Sequence, residues 1–346
     1  MLTSHSTPTH NNQEQDDLPL LTFSSSHSLW QKKHWLIGVS GGPDSMALWH
    51  AAIQHAPSQG IQVSAVTIDH GLRPAARIEA ETLALFAQQR DWAHYIAQWE
   101  GDKPTTRLQE RARTARYQLI IDLAHRIGAD ALLTAHHADD QMETILFRLS
   151  RGSGPAGLAG MAAHSIKSGL DHYRPLLERR KADLIHYCQV NELPVFNDPS
   201  NNDPRFARAQ ARALLPNFEK AGMAADSWLR LGRRAARAEQ ALASLAHNTI
   251  TALPATITAS GYHLPYDAFM GLPNELKIRL ITQEIQRINK NQGNPRLEQC
   301  EHLIDELTQP LAQGLTASHT LAQCLISLNL KKGFSITRAP ERRIQA

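Results

Sequence analysis

The chain has 346 residues, 42% apolar and 20% charged, with a formal net charge of +3; this describes an ordinary soluble protein of two or three domains, each able to bury its own core. No apolar run approaches the roughly 20 residues that span a bilayer, and the N-terminus lacks the basic patch and apolar core of a signal peptide, so the expected compartment is cytoplasmic, with no membrane partner. Cys188, Cys300 and Cys324 lie far apart without metal-ligand spacing and read as reduced thiols.

Residues 1–30 are rich in Ser, Thr, His, Asn and Gln and predict a flexible tail. Trp35-Leu36-Ile37-Gly38-Val39 is a short apolar run that suits a buried parallel strand, and Met46-Ala47-Leu48-Trp49 starts a helix. Between them lies Ser40-Gly41-Gly42-Pro43-Asp44-Ser45. Its glycines let backbone N–H groups face a phosphate, the helix N-terminus favours negative charge, and the two serine hydroxyls bracket the loop. No Lys follows at the Walker A spacing, and the third glycine of the dinucleotide fingerprint is missing.

Further strands are expected over 61–68, 95–99 and 131–135, with helices over 75–90, 106–126 and from Asp139 or Asp140 to about Ser150. This alternation predicts an α/β fold, a parallel sheet with helices on both faces. The glycine-rich stretch from Arg151 to Met161 predicts a flexible active-site loop. Helical character returns over 175–191, a turn cluster at 198–204 precedes a basic helix, and Pro216 marks a domain edge. Beyond it, 218–248, 273–290 and 297–308 predict helices, 254–264 a short strand, and 320–328 is ambiguous, so the second domain is expected to be smaller and mostly helical. Between Arg205 and Arg237 the chain also carries Arg208, Arg212, Lys220, Arg230, Arg233 and Arg234 against only Glu219 and Asp226, a basic block suited to a polyanion.

Parallel sheets bind ligands at the carboxyl ends of their strands. That rule brings together the 40–45 loop, Asp69-His70-Gly71 and His136-His137-Ala138-Asp139-Asp140. Asp44 and Asp140 are the leading candidates for Mg2+, a hard cation that takes carboxylate and phosphate oxygens. Asp139 is either their neighbour or a helix cap. His136 and His137 cannot point the same way on a regular strand, so one approaches a nucleotide while the other packs. Glu143 either orients a base, a water or Mg2+, or is a surface carboxylate. Arg113 and Arg116 share a helix face, and grip phosphate if it looks into the cleft.

The hexapeptide at 40–45 resembles the pyrophosphate loop of the ATP pyrophosphatase superfamily, with its adenine nucleotide alpha hydrolase-like fold. With Ile68–Arg73, Arg113–Tyr117, His136–Thr144, Arg151–Met161, Arg174–Leu177 and Asp198–Asn201, the series from about 34 to 217 resembles the tRNA(Ile)-lysidine synthetases. That resemblance implies a catalytic domain at 31–217 and a substrate-binding domain at 218–346. It also implies ligation of free L-lysine to C2 of the wobble cytidine in a tRNA(Ile) with a CAU anticodon. ATP adenylates the C2 oxygen, and pyrophosphate and then AMP leave. By the same resemblance, Ser40, Gly41, Gly42, Pro43, Asp44, Ser45 and His136 hold the nucleotide and Asp44 and Asp140 hold Mg2+. Catalytic roles fall to Asp44, Asp69, Arg113, Asp139, Asp140, Glu143 and Arg174, with Asp69, Asp139 and Glu143 the candidates to accept the lysine proton. Arg116, Arg151, Arg205, Arg208 and Arg212 are assigned to tRNA or substrate phosphates. The oligomeric state stays open, with a homodimer one option.

Two departures stand out. Where the family commonly has Arg-Asn-x-x-Arg, this chain has Arg208-Ala209-Gln210-Ala211-Arg212, without the amide. About 130 residues follow Pro216, which suits a short form lacking a further C-terminal tRNA-binding domain. The alternatives are a tRNA thiolase, which would want a cysteine pair on the rim; an amidating ATP pyrophosphatase, which needs no basic block; and a non-catalytic RNA-binding protein.

Overall fold

Trp35, Leu36 and Ile37 are completely buried, which requires their strand to be covered on both faces and both edges. The computed structural model describes residues 20–21, 27–71, 74–100, 108–196, 207–259, 261–290, 295–309 and 316–340, with backbone alone for 74, 108–110, 113 and 207–209. Strand β1 (His34–Gly38) pairs in parallel with β2 (Gln62–Asp69) on one side and β4 (Ala131–Leu133) on the other. With β3 (Ala93–Gln98), β5 (His164–Lys167) and β6 (Leu170–Tyr173) the sheet order is β3-β2-β1-β4-β6-β5, and only the edge strand β5 runs antiparallel.

The pleat of β1 explains the layers. Trp35 and Ile37 enter one core with Met46 and Trp49 of α1 (Pro43–His55) and Leu184 of α6 (Lys181–Val190). Leu36 enters the opposite core with Ile120, Ile121 and Ala124 of α3 (Leu108–Ile127). Each such side chain contributes about 1.5–3 kcal/mol on full burial, so helices on both faces are the stable solution. From β1 the chain runs outward through β2, α2 (Pro74–Gln88) and β3, then returns to the other side of β1 at β4. That reversal makes a crevice at the carboxyl ends of β1 and β4. Helices α4 (Ala138–Leu149), α5 (Pro155–Leu158), α7 (Ala207–Lys220) and α8 (Ala225–Thr251) follow.

Several expectations change. Leu20 and Leu21 are 5% and 4% exposed and belong to the core beneath α1, with the Leu20 carbonyl accepting from Arg179 Nε at 3.3 Å. These two residues are therefore core, not tail. The rest of 1–19 and 22–26 lies outside the described residues, as does 198–204. Pro216 sits inside α7 and ends nothing.

The chain forms two compact units, Met1–Arg148 with Gly160–Gly232 and Leu149–Ala159 with Arg233–Ala346, divided within α8. The second unit holds the expected helices, α10 (Asn274–Ile288) and α11 (Leu297–Thr308), and a short α9 (Tyr266–Met270). It also holds an antiparallel sheet in the order β7-β8-β11-β10-β9, from Thr256–Ile257, Gly261–Leu264, Gly333–Arg338, Cys324–Asn329 and Ala317–Leu321. Ile326, Leu328 and Ile336 of that sheet share a core with Leu280 and Ile281 of α10 and Leu303 of α11. No described helix is long and apolar enough to cross a membrane.

Candidate active site

The turn from β1 to α1 is held open by its own small residues. Gly41 has φ +81°, and a Cβ there would stand 2.6 Å from Phe196 Cδ2, while the Phe196 N–H donates to the Gly41 carbonyl at 2.8 Å. Only glycine meets both demands. Ser45 is 5% exposed, accepts from the Ser40 N–H at 3.1 Å and donates to the Gly42 carbonyl at 3.0 Å. It is a strut inside the loop, whereas Ser40 is exposed. Gly42 caps α1 without a side-chain bond and Pro43 opens it, so the first helical N–H groups keep their donors for a ligand. Beneath the loop, Cys188 Sγ lies 3.2 Å from the Pro43 carbonyl, nearer the rim than its sequence position suggests. Burial pushes this thiol up to about 11, which leaves it protonated and inert.

At the tip of β4 an imidazole gathers three carboxylates. His137, 3% exposed, places Nε2 3.5 Å from Asp44 Oδ2 and 3.4 Å from Asp140 Oδ2, and Nδ1 3.5 Å from Asp139 Oδ2. Burial works against its charge, but hydrogen bonds to Asp139 and Asp44 and the charges of Asp140 and Asp44 prevail and raise it to about 9. These carboxylates thus favour the charged form of the ring. Asp140 accepts from the His137 N–H at 3.0 Å and caps α4. Asp139 faces α6, accepting from Arg180 Nη2 at 2.9 Å and the Lys181 N–H at 2.8 Å. Burial would raise its pKa, yet the bonds from His137, Arg180 and Lys181 hold it well below the usual carboxylate range.

Asp44 Oδ1 is buried without a hydrogen-bond partner. A desolvated carboxylate oxygen with unused lone pairs is costly, and a hard cation relieves that cost. Among the described residues no group of three or more His, Cys, Asp or Glu could hold a metal ion. Mg2+ therefore fits here when a ligand supplies phosphate oxygens beside Asp44.

The remaining candidates separate. Asp69, 3% exposed at the end of β2, accepts from the Gly71 N–H at 2.8 Å and lies 3.9 Å from Arg77. Arg116, exposed on α3, is 3.2 Å from His70 Nε2. Glu143 is buried at 2% exposure and pairs with Arg212 of α7 through bonds of 2.5 and 3.2 Å, so it is neither a surface carboxylate nor an open base. Arg174 Nη1 donates to the Ala162 carbonyl at 2.8 Å, and Nη2 is 3.1 Å from His172 Nδ1. His136 Nδ1 lies 2.9 Å from Thr134 Oγ1. Arg151 is exposed; the side chains of Arg113 and Arg208, and all of Arg205, lie outside the described residues. The carboxyl end of the 151–161 loop is pinned, with Gln141 bonding both the Met161 N–H at 2.6 Å and its carbonyl at 2.7 Å.

Sequence reasoning missed Phe196, Arg180, Thr134 and His172. A Ser168-Gly169 turn with φ of 49° and 82° marks the β5–β6 hairpin, and that dipeptide signals that a fourth strand tip reaches the rim.

A glycine-lined anion cradle at a helix N-terminus, facing acidic groups on the neighbouring strand tip, defines a nucleotide-phosphate site of the PP-loop class, and the family model described as "PP-loop domain" matches residues 14–218. The similarity extends well beyond that segment. A tRNA(Ile)-lysidine synthase from Rhodopseudomonas palustris is 40% identical over 323 residues, 89% of this chain and 91% of that one. One from Methylobacterium nodulans is 40% identical over 309 residues, 88% and 90% of the two chains, and one from a Bradyrhizobium species is 39% identical over 325, 89% and 90%. The chain belongs to the tRNA(Ile)-lysidine synthase family.

Proposed function

We propose that the protein ligates lysine to C2 of the wobble cytidine of a tRNA(Ile) bearing CAU, through an adenylated cytidine, with release of pyrophosphate and AMP. The observation that carries this reading is the 40% identity to a tRNA(Ile)-lysidine synthase over 89% of the chain, which runs past the PP-loop domain through the second unit.

The backbone N–H groups of the Ser40–Ser45 loop and the α1 N-terminus bind and orient the triphosphate, and their fixed dipoles stabilise charge as pyrophosphate departs. Asp44, with its unpartnered Oδ1, and Asp140 would hold Mg2+, whose chemistry when bound is to neutralise the leaving phosphates. Arg113 is assigned to the same developing charge. Lysine must lose a proton before attack. Of the three carboxylates in question, Asp139 is tied to Arg180 and Glu143 to Arg212. Asp69, which is less tightly paired, with Arg77 3.9 Å away, is assigned to recognise the ammonium and accept its proton. His136 completes the nucleotide site.

Arg212 acts first through Glu143, holding α7 to α4. The tRNA phosphates are assigned to exposed Arg116 and Arg151, to Arg205 and Arg208, and to α8, which exposes Arg230, Arg234 and Arg237. Glu239 on that helix is spent on Arg279, at 2.9 and 2.7 Å, and does not offset them. Three buried free thiols suit a reducing cytoplasm.

The test is lysine incorporation. Protein, ATP, Mg2+ and radiolabelled lysine are incubated with unmodified tRNA(Ile) bearing CAU and, separately, elongator tRNA(Met). Acid-stable, base-linked label confined to the isoleucine tRNA is the expected result. Formation of AMP and pyrophosphate with tRNA but no label overturns the lysine step.

A further inference from the structure

The carboxyl ends of β4 and β6 carry a chain of hydrogen bonds that the reaction as described does not use. Arg174 Nη2 lies 3.1 Å from His172 Nδ1, His172 Nε2 lies 2.8 Å from Thr134 Oγ1, and Thr134 Oγ1 lies 2.9 Å from His136 Nδ1. The strands enforce the geometry, since Leu132 of β4 is in register with His172 of β6 and the Thr134 N–H donates to the Tyr173 carbonyl at 3.1 Å. His172 is 1% exposed, with Tyr117 packed edge-on 5.8 Å from its ring.

The direction of every bond follows from one residue. A guanidinium has only donors and stays protonated. His172 Nδ1 must therefore accept from Arg174, which makes this imidazole neutral and puts its proton on Nε2. Nε2–H then donates to the Thr134 oxygen. Thr134 has one proton to give, and the remaining partner is His136 Nδ1, which accepts it. A neutral imidazole that accepts at Nδ1 carries its proton on Nε2. We propose that Arg174, His172 and Thr134 are positioning residues that fix His136 as an Nε2–H hydrogen-bond donor, for an acceptor oxygen or ring nitrogen of the bound nucleotide.

His136 stands half-buried at the end of β4, next to His137, whose Nε2 is 3.5 Å from Asp44. A donor there suits a nucleotide acceptor. The role rests on the reading of this rim as the nucleotide site; the polarity of the chain does not.

Two measurements separate these. Long-range proton–nitrogen correlation spectra of the ligand-free protein assign which ring nitrogen carries the proton. The expected result is Nε2–H for both His136 and His172 in the native protein, with loss of the fixed His136 tautomer in Thr134→Val and its retention in Thr134→Ser. A protonated Nδ1 on either ring overturns the proposal, even if no variant can be purified. In kinetics, Thr134→Val is expected to raise KM for ATP about 5- to 10-fold, the scale of one hydrogen bond, with a smaller change in kcat, and Thr134→Ser restores it. Unchanged KM in Thr134→Val, with the tautomers as expected, overturns the role given to the donor. If the native protein makes pyrophosphate but incorporates no lysine, the lysidine reading fails while the spectra still decide the chain's polarity.

Discussion

Replacing Arg212 with methionine isolates the ion pair that ties α7 to α4. Glu143 is 2% exposed, so removing its cation leaves a carboxylate that water barely reaches. Breaking a fully buried pair from one side costs about 3–5 kcal/mol. The Arg212 side chain is 41% exposed, so solvent already screens part of the interaction, and about 2 kcal/mol is the better figure here. For a unit of roughly 150–250 residues that corresponds to a fall of about 4–8 °C in the first thermal transition. The assay is circular-dichroism melting of the native protein, Arg212→Met, Glu143→Gln and the double variant at pH 7.5. The double variant should recover part of the loss, with a coupling of about 1–2 kcal/mol. A single variant Arg212→Met that melts within 1 °C (about 0.3–0.5 kcal/mol) of the native protein refutes the argument, as does strict additivity. If Arg212→Met keeps its stability and loses only tRNA-dependent AMP release, the guanidinium serves phosphate and the pair is incidental.

Gly41→Ala places a Cβ 2.6 Å from the Phe196 ring at a φ of +81°, costing on the order of 2–4 kcal/mol. KM for ATP should rise about tenfold or more, and Phe196→Ala in the same chain should recover part of it; a native KM in Gly41→Ala rules the clash out. His94 is pushed down to about 4 by burial, so between pH 6.5 and 4 the unfolded chain takes up the proton before the folded one. Stability should be unaffected by this group above pH 6.5 and fall by about 1.4 kcal/mol per pH unit below it. His94→Gln should flatten that limb of a urea-denaturation series, and an identical slope in both proteins would count against it. Cys188, at about 11 and 3% exposed, should resist iodoacetamide at pH 7.5 until the protein is unfolded. Cys188→Ala should keep lysine incorporation within about threefold; loss of activity with normal stability would point to sulfur chemistry at the loop.

What the chain revealed in advance depended on whether the signal was local. The strand, glycine turn and helix at 34–55 were legible because burial, φ and capping all leave marks within a dozen residues. The tips of β2 and β4 followed from the same pattern. The division of labour among the carboxylates was not legible. Asp139 and Asp140 look alike in sequence, and Arg180, 41 positions away, commits the first to α6. Glu143 is settled by Arg212, 69 positions away. The second unit's sheet was hidden for a different reason. The β9–β10 turn uses Ala322 and Gln323 at φ of 46° and 61°, where Asn-Gly would have announced a hairpin, although Cys324, Ile326 and Leu328 alternate inward as a strand should.

The central place of β1 has a consequence for synthesis. This strand meets β2 soon after it leaves the ribosome, but its other edge waits for β4, and the Asp130 carboxylate that fastens its start, through the His34 N–H at 2.9 Å, lies 96 residues downstream. At about 5–20 residues per second that wait lasts on the order of 5–20 s. For that interval Trp35, Leu36 and Ile37 stand on an open apolar edge, the template that recruits other nascent chains. Slow codons before 131 would lengthen that exposure, and a chaperone that shields nascent strand edges would matter most to this protein in that window.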